Sequence, residues 1–288
     1  MFVGENSFKS KFGMVFDIFK RSVESSVRLR TEEVPSAELS RLVTVDTYFL
    51  HGHRRPWFRH YPVVLFNDGQ DLRRMNFWQI LTDLYQTGKL PPAVFVGLHA
   101  NHDRMREYGT AYRPDYQNRG DRAALYERFV LRELLPLLRH DFRTQKRLSV
   151  AGFSLGGLNA FDLAWRNPDI FDRAGIFSGS FWWRAQPFRS EAPDADLIVP
   201  TLIEATPARP RTQQFWFQTG TLDEDSDRNN NGVIDSIDDT LHVMAKLQQR
   251  GYRTGVDLKY VEMEGGRHDV PTWGRAMPEF LQWALAKR

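Results

Sequence analysis

Apolar residues recur along the chain in two rhythms. Residues 42–50, 61–66, 93–98, 148–151, 174–177 and 215–218 form short, β-branched or aromatic runs bounded by turn residues, as buried strands do. Residues 256–263 alternate apolar and polar, which also predicts a strand. Helical spacing is found over 76–85, over a long stretch from 123 to 138 with Asp121 as its cap, and over 158–165. It returns over 240–249, closing at Gly251, and over 273–285. Strands therefore alternate with helices, which argues an α/β fold with a mostly parallel central sheet and helices on both faces. Residues 42–50 and 61–66 are expected to form a hairpin across the polar loop 51–60. The segments 99–120 and 185–211 are expected to hold no long element. Residues 1–40, with some amphipathicity over 12–19, read as an N-terminal extension packing on the domain edge; 41–288 reads as a single domain.

One junction stands out. Residues 148–151 run into Gly152-Phe153-Ser154-Leu155-Gly156, followed by Gly157 and a helix. A serine on a tight turn between strand and helix has the context of a nucleophile elbow, and its small neighbours permit that turn. The helix then points the positive end of its dipole at any oxyanion formed there. Such a nucleophile requires an acid and then a histidine further along, each after a strand. His268 meets that order, after the last strand and the Gly265-Gly266 pair, which makes it the expected general base. The acid is expected after the 215–218 strand: Asp223, with Glu224 as the alternative. Two backbone N–H groups should face the developing oxyanion, those of Leu155 and of Gln70, with Gly69 allowing a close approach to ligand.

Composition narrows the picture further. The 288 residues are 41% hydrophobic and carry a net charge of only +3, with 39 basic residues scattered among 36 acidic ones, so no nucleic-acid partner is indicated. There is no cysteine, which removes disulfides, thiolate metal sites and cysteine nucleophiles. No apolar run approaches the length of a membrane span, and the early Glu5 and Lys9 do not suit a secretory leader, so a cytoplasmic location is the default expectation. The aromatic content of 13% suggests an aromatic-lined pocket. Trp182, Trp183 and Arg106 are its expected lining, with Arg104 and Trp273 on the same rim.

A separate signal lies at 227–238. Asp227, Asn229, Asn231, Gly232, Val233, Asp235 and Asp238 fit the D-x-[DN]-x-[DN]-G calcium-loop pattern, with a carboxylate at the twelfth position. Asp227, Asn229, Asn231, the Val233 carbonyl, Asp235 and Asp238 are the expected ligands of a structural Ca2+; the competing reading is a turn satisfied by its own Asx side chains.

Taken together, the chain resembles the esterase branch of the α/β-hydrolases, which includes enterochelin esterases, feruloyl-esterase modules, S-formylglutathione hydrolases and mycolyltransferases. The likeness is carried by residues 65–71 (LFNDGQD), 133–136 (ELLP), 151–157 (AGFSLGG), 167–171 (NPDIF), 178–183 (SGSFWW) and 265–269 (GGRHD). It implies an α/β-hydrolase fold, Ser154 as nucleophile, His268 as base, the 220–223 stretch as the acid loop and Gln70 as an oxyanion donor. The expected activity is hydrolysis of a small-molecule carboxylic ester through an acyl-enzyme, without a catalytic cofactor. Acyl transfer by the same triad, and a catalytically silent binding module, are the other readings. The calcium-like loop is not a general feature of that branch.

Overall fold

The computed structural model describes residues 26–51, 60–207 and 212–287. The amphipathic 12–19 stretch and most of the 51–60 loop lie outside the described residues. The strands are β1 (Ser26–Ser36), β2 (Arg41–His51), β3 (Val63–Asn67), β4 (Val94–Leu98), β5 (Leu148–Phe153), β6 (Phe171–Phe177), β7 (Gln214–Leu222) and β8 (Leu258–Arg267). They form one eight-stranded sheet in the order β1-β2-β4-β3-β5-β6-β7-β8. From β3 to β8 every pairing is parallel, while β2 runs antiparallel to both β1 and β4.

Every residue of β3, β4 and β5 is buried. Strands covered on both faces need no polar side, which is why they read as unbroken apolar runs. One face packs against Phe129, Leu158, Phe161 and Trp165, the other against Phe77, Leu81, Met277 and Phe280. These residues come from α2 (Phe77–Gln86), α6 (Leu155–Arg166), α9 (Val270–Leu285) and a wide-turned segment, Phe129–Leu134. That segment joins α4 (Ala123–Arg128) to α5 (Leu135–Asp141) and ends just before Pro136, whose missing N–H removes one α-type bond.

Several expectations are corrected. The stretch 42–50 does not pair with 61–66: β2 takes β1 and β4 as neighbours, and β3 lies beyond β4. Residues 26–36 are not part of an extension lying on the sheet. They are its edge strand, paired with β2 from Ser26↔His51 to Ser36↔Arg41. Their alternation was masked by Arg28, Arg30, Glu32, Glu33 and Pro35, the charged residues and proline that suit an exposed edge. The 99–120 and 185–211 segments hold no long element, as expected, but each carries a short helix, α3 (Arg104–Glu107) and α7 (Ile198–Ala205). In the latter, Pro200 sits in the first turn, where a missing N–H costs nothing. A six-residue helix, α1 (Gly69–Arg74), follows β3 directly. α8 (Asp235–Gln249) begins inside the calcium-like loop, and β8 continues through Gly265 and Gly266. Asp121 caps nothing; it pairs with Arg106 at 2.6 Å. Among the described residues no helix is long and apolar enough to cross a membrane.

Candidate active site

The elbow forms as its sequence requires. Ser154 sits between β5 and α6 with φ 55° and ψ −120°, a backbone conformation that L side chains rarely adopt. Its N–H donates to the Phe177 carbonyl at 2.8 Å, and its own carbonyl accepts from Gly157 N at 2.9 Å and Ser180 N at 3.2 Å. Two glycines are obligatory. A Cβ on Gly152 would lie 2.2 Å from the Gly156 carbonyl oxygen, and one on Gly156 would lie 2.4 Å from Asp68 Oδ2. Behind the turn, Asn67 Nδ2 donates to the Gly156 carbonyl at 2.9 Å and to Asn159 Oδ1 at 3.0 Å, while Tyr126 donates to Asn67 Oδ1 at 2.8 Å.

His268 and Asp223 follow the ends of β8 and β7, on the same carboxyl edge of the sheet as Ser154. Trp273 ties them to the elbow: it stacks on Phe153 with ring centroids 5.0 Å apart and meets the His268 ring edge-on at 5.4 Å. One side of His268 is open to solvent while the rest is crowded by protein. That crowding holds its pKa below the ordinary imidazole range; Asp223 opposes the shift and Arg104 adds to it. Both Asp223 carboxylate oxygens are buried; the Gly220 backbone and the Ser178 hydroxyl lie beside them, but among the described residues neither reaches them in full hydrogen-bond geometry. Burial pushes this carboxyl above the usual carboxylate range, and the Gly220 backbone, the Ser178 hydroxyl and the His268 ring pull it back only in part. A buried carboxylate left unpaired is costly, and His268 is the neighbour whose N–H can relieve it. Ser154 Oγ is hydrogen-bonded to Ser180 Oγ at 3.3 Å rather than to His268. Asp269 is occupied elsewhere, accepting from Thr272 N at 2.9 Å as the cap of α9. Glu224 is half-buried, and burial, followed by the charge of Asp235, raises its carboxyl; its neighbours are Asp235 and Ser236, not His268.

Leu155 opens α6 and Gln70 is the second residue of α1, positions whose backbone N–H groups have no partner within the helix. The Gln70 side chain is committed, donating to Asp68 Oδ1 at 3.2 Å and accepting from Ala100 N at 3.0 Å. Gly69 has a packing reason for being glycine. A Cβ there would strike the Gly97 backbone of β4 at 2.3 Å.

The expected pocket lining is redistributed. Arg106 faces Asp121 and is half exposed, with no contact to the elbow. Trp183 is fully buried beneath the Arg119 guanidinium and is core. Trp182 does line a cavity of about 510 Å3, together with Tyr116, Arg119, Arg184, Phe188 and Arg228. Arg119 lies over the Trp182 ring at 4.9 Å. Its lining includes none of Ser154, Leu155, Gln70, Asp223 or His268; it is built on the chain segments that follow Ser180 and Asp223. Tyr116, Arg119 and Phe188 were missed because only tertiary contact brings loops 113–119 and 185–190 together.

In the 227–238 loop, Gly232 takes φ 84° and Asn230 φ 56°. Asp227 accepts from Gly232 N at 2.8 Å and Asn231 N at 3.1 Å, and Asn231 accepts from Val233 N at 2.8 Å. The nearly buried Arg228 guanidinium pairs with Asp239 at 2.7 Å, Asp194 at 2.8 Å and Asp235 at 3.0 Å. Among the described residues no three carboxylate or imidazole groups converge as a metal-binding set.

An elbow serine on a mostly parallel sheet, with the histidine after the last strand and the acid after the one before it, defines the α/β-hydrolase class. The chain belongs to the Esterase family, described as "Putative esterase", which it matches over residues 36–284. It is similar to the Iron(III) enterobactin esterase of Escherichia coli K12, 31% identical over 126 residues, 42% of this chain and 29% of that protein. It is also similar to the uncharacterized protein YbbA of Bacillus subtilis 168, 25% identical over 130 residues, 43% of this chain and 51% of that protein. The chain thus matches about half, or less, of the length of these curated relatives. A ferulic acid esterase shares its fold with a TM-score of 0.68 at 17% identity, covering 91% of this chain and 98% of that one.

On α6, Asp162 is fully buried and accepts from Ala111 N at 2.8 Å. Burial pushes its carboxyl up to about 7, with Arg166 3.9 Å away. Because this folded-state value lies above that of an unfolded aspartate, the group favours folding at low pH and that contribution is lost as pH rises to about 7. Asp162→Asn keeps an acceptor for Ala111 and is expected to raise Tm more at pH 8 than at pH 5; an equal shift at both, read by differential scanning fluorimetry, contradicts this assignment.

Proposed function

We propose that the chain is a serine hydrolase of carboxylic esters that works through an acyl-enzyme on Ser154. The observation that carries the reading is the strained elbow serine on the sheet edge that also bears His268 and the unpaired, buried Asp223. His268 takes the Ser154 proton as Oγ attacks the ester carbonyl, and Asp223 holds the imidazole and stabilises the imidazolium. The Leu155 and Gln70 amides receive the oxyanion of the tetrahedral intermediate. His268 then protonates the departing alcohol, and the same ring activates water to release the acid.

The cavity lined by Trp182 is in keeping with an ester bearing a planar group. Tyr116, Trp182 and Phe188 expose ring surface there, between the cations of Arg119, Arg184 and Arg228. Relatives named for ferulic acid and for iron(III) enterobactin are in keeping with a small-molecule ester as substrate.

Ser154→Ala is expected to lower kcat on a p-nitrophenyl ester by about a thousandfold or more while the circular dichroism spectrum stays unchanged. A folded variant with most of its turnover contradicts the mechanism. Since the base must be neutral and His268 titrates low, kcat/KM is expected to rise through an acid limb below about 6.5 and to be full at neutral pH. An acid limb well above that value would contradict His268 as the base.

A structural Ca2+ on the 227–238 loop is a second, separate proposal. Oxygen-bearing side chains at 227, 229 and 231 and the sharp turn at Gly232 support it; Arg228 competes for Asp235 and, at 3.7 Å, for Asp238. Ca2+ added to chelator-treated protein is expected to raise Tm by a few degrees. An unchanged Tm leaves Arg228 as the loop's cation.

A further inference from the structure

Two separate stretches of chain supply the oxyanion donors: the β3–α1 turn, with Gln70, and the β5–α6 elbow, with Leu155. A hole for one oxygen requires both amides to be held at a fixed separation, and the backbone alone does not join them there. Two side chains do: Asn67 at the end of β3, through its bond to the Gly156 carbonyl, and Arg104, which alone grips both turns with a charge. Arg104, at the start of α3, makes a two-pronged contact with Asp68, Nε to Oδ1 at 2.7 Å and Nη2 to Oδ2 at 2.7 Å. The same Nη2 donates to the carbonyl of Phe153, the residue before the nucleophile, at 3.3 Å.

Asp68 is the pivot of the other side. It is 1% exposed and takes φ 57° immediately before α1. Its N–H donates to Tyr108 Oη at 3.0 Å, its Oδ1 accepts from Gln70 Nε2 at 3.2 Å, and its Oδ2 fills the space over Gly156. Arg104 in turn lies over the Tyr108 ring, 5.3 Å from its centroid. One guanidinium thus braces the turn that carries Gln70 against the turn that carries Leu155. Burying an ion pair contributes little net stability by itself, so its geometry is the more informative feature. A planar fork fixes orientation in a way a lysine ammonium cannot.

We propose that Arg104, through Asp68, is the positioning residue that sets the separation of the two oxyanion-hole amides. This rests on the acyl-enzyme reading above. Arg104 touches neither the ester nor Ser154 Oγ; it acts through the two turns. Its charge has a second consequence, since it disfavours the imidazolium of His268. Removing that charge should raise the pKa of His268 and move the acid limb of kcat/KM to higher pH, an effect that loosened packing would not produce.

The test compares wild type, Ser154→Ala, Arg104→Gln and Arg104→Lys in hydrolysis of p-nitrophenyl acetate, with circular dichroism as the check on folding. Arg104→Gln is expected to lose about a hundredfold in kcat, the scale of a displaced oxyanion donor, with KM changed by less than about threefold. Its acid limb is expected at higher pH. Arg104→Lys keeps the charge but not the fork: about a tenfold loss in kcat is expected with the acid limb unmoved, and this variant keeps the test readable if Arg104→Gln does not fold. An inactive Ser154→Ala beside Arg104 variants within about twofold of wild type, or a loss expressed wholly in KM, overturns the inference alone. Equal turnover by wild type and Ser154→Ala overturns the acyl-enzyme reading and the inference with it.

Discussion

The structure turns on a close approach of three backbones around Ser154. That residue holds φ 55° and ψ −120°, a geometry that costs about 1–3 kcal/mol and persists only where its surroundings impose it. They do so from several sides. Phe177 receives its N–H, Gly157 and Ser180 bond its carbonyl, and the bare backbones of Gly152 and Gly156 let the β3 turn and the start of α6 close around it. The parallel sheet supplies the frame, because β3, β5 and β6 are neighbours and end on the same edge. The strain is therefore balanced by ordinary sheet and helix packing, and it leaves the Ser154 side chain half open at the mouth of the site.

Much of this was written locally in the sequence. The elbow needs small residues at fixed spacing, and a strand buried on both faces must be apolar throughout, so residues 147–157 carry both signals within eleven positions. The place of His268 was legible for a similar reason: a histidine after a glycine pair, between the last strand and a helix capped by Asp269, lies at the sheet edge wherever the strands run parallel. Asp223 is preferred to Glu224 from its place directly after a strand; its charge acts on the His268 ring, whereas Glu224 is set among Asp235, Ser236 and Arg228.

What was not legible depends on the phase of short elements and on partners far away in sequence. Arg104 and Arg106 look alike in the chain, but two residues along a single helical turn point in different directions. One reaches the elbow and the other meets Asp121. Trp182 and Trp183 divide in the same way, one at a cavity mouth and one wholly buried. The edge strand β1 was hidden by charges that protect an unpaired edge, and α7 by a proline whose placement in a first turn cannot be told from a break. In the calcium-like loop the spacing is legible in the sequence, but the bonds of its oxygens to the loop's own amides and to Arg228 are not.

Whether Ser154 is an activated nucleophile is tested most directly by intact-mass spectrometry after exposure of the folded protein to a fluorophosphonate, followed by mapping of the modified peptide. The account predicts a single adduct, carried by Ser154. A folded protein that takes up no label, or takes it up at another residue, would contradict the account.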